Sequence, residues 1–75
     1  MYTITTFYKF FPFNDYVSCK TPLLQLFRSQ GIKGTVLLAD EGINGTISGT
    51  RAAVDAFYAW CEKNAVGTLE VKESE

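Results

Sequence analysis

Hydrophobic and polar positions change their spacing several times along this chain, and each change predicts an element. From Thr3 to Phe10 the residues alternate partially and are rich in Thr, Tyr and Phe, which predicts a first strand. Pro12 and Asn14-Asp15 close it and open a helix, with Asn14 or Asp15 as N-cap. Tyr16, Val17, Leu23, Leu24 and Phe27 fall near one helical face, and Gly31 stands where a left-handed C-terminal residue is expected. Pro22 removes a donor inside this helix and clashes one turn back, so a kink or break is expected there, unless Thr21 caps a restarted helix. Two apolar runs, Thr35 to Ala39 and Ile43 to Ile47, flank a polar break at Asp40-Glu41-Gly42 and predict a hairpin from about Lys33 to Ser48. Thr50 then caps a second helix from Arg51 to Asn64, whose apolar stripe is Val54, Phe57 and Cys61, flanked by Ala53 and Trp60. Gly67 ends the connection, and Thr68 to Lys72 is a short alternating strand.

The predicted order is β-α-β-β-α-β. Two right-handed crossovers place both helices on one face of a four-stranded antiparallel sheet. The expected class is therefore α+β with a ferredoxin-like arrangement, and residues 1–75 form one domain. The chain stops directly after the last strand, as a domain cut from a longer protein would.

Within the second hairpin strand, alternation puts Ile43, Gly45 and Ile47 on one face and Asn44, Thr46 and Ser48 on the other. The isoleucines are expected to meet the helices. The polar set is expected to line the open face of the sheet, joined by Phe7 and Lys9 or by Tyr8 and Phe10, depending on register. Such a mixture of hydroxyls, an amide, an aromatic and a lysine suits RNA or a neighbouring domain; a solvated face is the alternative. The candidate surface is Glu41, Asn44, Thr46, Ser48 and Lys9, with Gly42 and Gly45 as structural residues of the turn region. Glu41 is the only residue here with an acid/base reading, and no group in the sequence is placed to tune it, so an anchor for something outside the chain is the better role.

Composition narrows the chemistry. Hydrophobic residues make up 47% of the chain, enough for a packed core, and eleven aromatics are more than so small a core hides. A net charge of −1 excludes a module that holds nucleic acid by phosphate neutralisation alone. The chain has no His, and Cys19 and Cys61 lie far apart, so neither a metal site nor imidazole catalysis is expected. No cofactor is implied. Both cysteines fall in predicted helices and read as reduced core residues. The first residues, Met1-Tyr2-Thr3-Ile4-Thr5-Thr6, lack the basic start and apolar run of a signal peptide, and no stretch approaches a membrane span. A cytoplasmic protein without a membrane partner is expected.

Tyr8-Lys9-Phe10, Gly31 to Ala39, and above all Glu41-Gly42-Ile43-Asn44-Gly45-Thr46-Ile47-Ser48-Gly49 closely resemble the N-terminal domain of the bacterial tRNA uridine hydroxylases. Ala56-Phe57, Trp60 and Leu69 to Ser74 fit the same pattern. These rhodanese-domain proteins use oxygen to make 5-hydroxyuridine at the tRNA wobble position. The resemblance implies an acylphosphatase-like fold, a parent oxidoreductase, and tRNA and a rhodanese-like domain of the same protein as partners. It carries over no catalytic residue, because the essential cysteine of that family belongs to the rhodanese-like domain. The expected role is a non-catalytic domain that helps bind tRNA or dock the catalytic domain. A stand-alone acylphosphatase-like enzyme or a small protein-interaction domain is the alternative. Acylphosphatase chemistry needs an arginine in a phosphate loop after the first strand, where this chain has Phe11-Pro12-Phe13-Asn14.

Overall fold

The computed structural model describes residues 2–75. Its elements run β1 (Thr3–Phe10), α1 (Tyr16–Gln30), β2 (Lys33–Ala39), β3 (Gly42–Gly49), α2 (Arg51–Lys63) and β4 (Glu70–Ser74). The strands form one sheet in the order β2-β3-β1-β4, with every neighbouring pair antiparallel. This is the ferredoxin-like β-α-β-β-α-β arrangement expected from the alternation of periods.

Strand β1 shows why a layered fold forms. Thr3, Thr5 and Phe7 are buried toward the helices, while Ile4, Thr6, Tyr8 and Phe10 between them are exposed. On β3, Ile43 and Ile47 are buried in the same layer. Helix α2 completes the core with Ala53, Val54, Phe57 and Cys61, the stripe its spacing predicts. Phe57 is its centre, with ring centroids 4.9 Å from Phe7 and 5.6 Å from Phe27. Thr50 caps α2 by accepting a hydrogen bond from the Ala53 amide at 3.1 Å.

Helix α1 departs from expectation in three ways. It runs unbroken through Pro22, and Thr21 does not cap a second helix. Pro22 and Ser18 are both exposed, so the Ser18 carbonyl that loses its partner at position 22 faces solvent, and the proline ring angle suits a helix. Asp15 occupies the N-cap position, but its side chain makes no capping bond; the Ser18 hydroxyl donates back to the Asp15 carbonyl instead. The buried face is built on Cys19 and Leu23 with help from Tyr16, Leu26 and Phe27, whereas Val17 and Leu24 point outward. At the far end, Gly31 is the left-handed cap.

Strand β4 begins two residues later than expected. The amides of Val66 and Gly67 both donate to the Cys61 carbonyl, closing the end of α2, and the Thr68 hydroxyl donates to Glu62. Val66 is fully buried. These contacts hold the connection against the helix until Glu70 reaches its partner Tyr8.

The hairpin tip is tighter than the sequence suggests. Ala39 pairs with Gly42, so only Asp40 and Glu41 form the turn, and Gly42 and Gly45 both belong to β3. Gly42 has φ +144°, and a Cβ there would lie 2.0 Å from the Lys9 carbonyl oxygen of the adjoining strand. Gly45 sits opposite Phe7 and Val36 in mid-strand, where a Cβ would lie 2.3 Å from the Thr35 carbonyl oxygen and 3.1 Å from the Phe7 ring.

Candidate functional site

The registers assign the open face of the sheet row by row. Across it run Lys33, Ser48, Ile4 and Ser74, then Thr35, Thr46, Thr6 and Lys72, then Leu37, Asn44, Tyr8 and Glu70. Phe10 closes the end beside the hairpin tip. No helix covers these side chains. Phe10 is 79% exposed, Leu37 59%, Tyr8 49% and Ile4 40%. The rings of Tyr8 and Phe10 lie 5.8 Å apart and tilted. Asn44 therefore projects between two apolar neighbours, Leu37 on one strand and Tyr8 on the other.

Three of the residues predicted from the sequence, Asn44, Thr46 and Ser48, meet on this face. Thr46 shares a 3.1 Å hydrogen bond with Thr6 across the β1–β3 pair. The side chains of Asn44 and Ser48 have no hydrogen-bond partner among the described residues and remain available. Glu41 lies at the hairpin tip, exposed, at the same end as Phe10. Its backbone, not its carboxylate, is engaged: the Phe11 amide donates to the Glu41 carbonyl and the Phe13 amide to the Asp40 carbonyl, each at 3.0 Å. Pro12 falls between these two donors, at the position where no N–H is needed. Phe11-Pro12-Phe13 thus fastens the tip, with Phe13 buried and its ring stacked on Phe11 at 4.8 Å.

Lys9 does not join the open face. It shares the side of Phe7, is half-buried, and donates from Nζ to the Val66 carbonyl, with the ammonium 5.2 Å from the Phe11 ring centre. The period-2 rule decides this: once Phe7 is in the core, Tyr8 and Phe10 must face outward.

A polar cluster that sequence reasoning missed lies on the helix side of β4. Arg51 Nη1 and Nη2 donate to the two Glu73 carboxylate oxygens at 2.9 and 3.0 Å, and Nη2 also reaches Asp55 at 2.7 Å. The Tyr58 hydroxyl bridges Glu73 and Thr5, which are register partners. Hydrogen bonds from Arg51 and then Tyr58 pull the Glu73 pKa down to about 2. Burial, followed by the bond to Glu73, raises that of Tyr58. The bidentate geometry ties an otherwise exposed edge strand to the start of α2. Only the spacing of Arg51 and Asp55 on one helix face signalled it in the sequence; the contact with Glu73 depends on the topology.

Cys61 is fully buried, and desolvation pushes its thiol up to about 12; burial also raises Cys19, with the Asp15 charge adding to it. Both thiols are free. Among the described residues, no three metal-ligating side chains come together, and no helix is long and apolar enough to cross a membrane. The loop after β1, where acylphosphatase chemistry needs an arginine, carries the stacked Phe11 and Phe13 rings and leads to Asp15, whose charge opposes an anion.

Residues 2–75 match the family model of the UPF0176 acylphosphatase like domain. The chain belongs to this family. It is 42% identical over 72 residues to the tRNA uridine(34) hydroxylase of Legionella pneumophila strain Corby, and equally so to that of strain Paris. Each alignment covers 95% of this chain and 28% of the relative, so the chain spans about a quarter of the length of the curated relatives it matches. The resemblance carried by the Glu41 to Gly49 motif and the fold it implies are thereby shown, and the domain corresponds to the N-terminal domain of the tRNA uridine hydroxylases.

Proposed function

We propose that this chain is the non-catalytic N-terminal domain of an oxygen-dependent tRNA uridine hydroxylase and works as a binding or docking module in that enzyme. Its parent modifies tRNA in the cytoplasm, and a rhodanese-like domain of the same polypeptide carries the chemistry. One observation supports this reading above others: both cysteines are buried and Arg51, Tyr58 and Glu73 are tied to one another, while a continuous mixed face is left uncovered. Glu41, Asn44, Thr46 and Ser48 belong to that face or its rim, and Lys9 is removed from it. A stand-alone acylphosphatase finds no support, because the loop after β1 has no arginine.

The test uses the full-length enzyme. A positioned acid, base or nucleophile contributes about 10²–10⁴-fold to a rate. Cys19→Ala, Cys61→Ala and Tyr58→Phe should each keep single-turnover hydroxylation of tRNA within about threefold of wild type, well short of that contribution. A loss of about a hundredfold or more in a variant that remains folded by circular dichroism would place a catalytic group in this domain and refute the proposal.

A further inference from the structure

The structure also bears on which partner the open face takes. We infer that it is covered by the remainder of the same polypeptide, packed against the patch of Leu37, Asn44, Tyr8 and Phe10, and not by tRNA. This deepens the functional reading above and rests on it.

Charge argues first. The face offers Lys33 and Lys72, with Glu70 set against them, and the whole chain carries −1. Binding an RNA backbone depends on several cations that displace counterions from phosphates, and this face has almost no surplus. Its aromatics are arranged poorly for bases too. A sheet that stacks RNA presents aromatic platforms on neighbouring central strands, whereas here both rings sit on β1 and their β3 partners are Asn44 and Gly42.

The apolar character argues second. Phe10, Leu37 and Tyr8, each about half exposed or more, surround an amide with unused donors and an acceptor. That composition is the apolar centre and polar insert of a protein contact. A sheet of this size presents roughly 26 Å by 15 Å, from a rise of about 3.3 Å per residue and a strand spacing of about 4.8 Å. Contacts between domains of one chain commonly bury about 600–1,500 Å² over both sides, which this face can supply.

Connectivity argues third. The relatives extend well beyond the matched quarter of their length, so in them a large body of protein is joined to the matching domain. Strand β4 lies at one edge of the face, and its last residue, Ser74, is paired with Ile4 in the face's first row. Ser74 lies four residues along β1 from the row of Tyr8 and Asn44, about 13 Å at ~3.3 Å per residue, a distance that a short linker spans, and tethering supplies an effective concentration in the millimolar range. A modest intrinsic affinity then suffices.

The experiment is site-specific thiol labelling of the full-length protein by a maleimide, read by mass spectrometry. Thr46→Cys probes the middle of the face, and Gln25→Cys on the exposed side of α1 is the reference. Without tRNA, Thr46→Cys should react about tenfold slower than the reference, the protection given by a docking equilibrium of about 1.4 kcal/mol. Adding unfractionated tRNA should leave the ratio unchanged. Phe10→Ser or Leu37→Ser, placed in the same Thr46→Cys chain, should restore rapid labelling, and both remove exposed side chains on which folding does not depend. If neither variant accelerates labelling and tRNA has no effect, the face is not a docking surface. If protection appears only after tRNA is added, the occupant is RNA. Either result overturns the inference. The parent reading is checked separately: a full-length protein that protects the face but never hydroxylates tRNA refutes the assigned function and leaves the docking result standing.

Discussion

The two faces of β1 differ by a shift of one residue, and they obey opposite rules. Thr5 and Phe7 point into the helical layer, where a ring packs at 4.9 Å and a hydroxyl finds Tyr58. Thr6, Tyr8 and Phe10 point away, where the two rings meet each other but no helix covers them. The inward face is determined by packing and tolerates no loss of volume. The outward face contributes little to folding, so its aromatic content calls for another explanation, and docking supplies one. The comparison teaches that an exposed aromatic is informative when its strand neighbour already satisfies the core.

The strongest way to break this comparison is to truncate a ring on each face. Phe57→Ala removes the side chain that joins Phe7 and Phe27 and should cost about 3–5 kcal/mol. That approaches the whole stability of a domain this small, about 4–11 kcal/mol, so the variant should be largely unfolded. Phe10→Ala should stay within about 0.5 kcal/mol of wild type. Urea denaturation of both variants decides: comparable losses would mean that the open face also holds the fold together.

Gly42→Ala should come next, at roughly 1–3 kcal/mol, because φ is positive and the Lys9 carbonyl occupies the space of the new methyl group. A thermal melt unchanged from wild type would show that the hairpin tip can move away from β1. Acid should then affect β4 selectively. Glu73 titrates near 2 in the fold, below its ordinary value of 4.5, so its pairing with Arg51 stabilises the protein fully above about pH 4.5 and fades as pH falls toward 2. The difference in melting temperature between wild type and Glu73→Gln should shrink across that window; a difference independent of pH would remove the ion pair from the account.

The smallest effect on stability is expected at the motif itself. Glu41→Ala and Asn44→Ala should each change stability by less than about 0.5 kcal/mol, since neither side chain has a hydrogen-bond partner in the described structure. In the full-length enzyme both should lower tRNA hydroxylation. Substantial destabilisation instead would assign these side chains to folding the hairpin and remove them from the docking surface.

Much of this was legible in the residues. The α2 stripe was readable because a single helix presents Val54, Phe57 and Cys61 to one layer, and the hairpin because β-branched runs flank a polar turn. The inward course of Ile43 and Ile47 followed from period 2 together with the polarity of Asn44, Thr46 and Ser48 between and beyond them. Helix α1 was less legible, since Val17 and Leu24 look like core residues until the helix is docked at an angle that favours Cys19 and Leu23. The start of β4 was misplaced because Val66 and Gly67 are engaged in closing α2, a contact that local spacing does not encode.

Lys9 marks the boundary between the two kinds of knowledge. Alternation along β1 establishes that Phe7 and Lys9 share one side and that Tyr8 and Phe10 share the other, since successive side chains of a strand must point in opposite directions. The sequence also determines the order of elements and, over residues 2–75, the family. Which side of β1 faces the helices is a property of the assembled layers, because only there can burial of Phe7 against Phe57 outweigh exposure of Phe10. The same is true of Arg51 and Glu73, 22 residues apart in the chain. Chain connectivity brings no such pair together on its own; closing the sheet with β4 beside β1 does, and that pairing is decided by the fold as a whole.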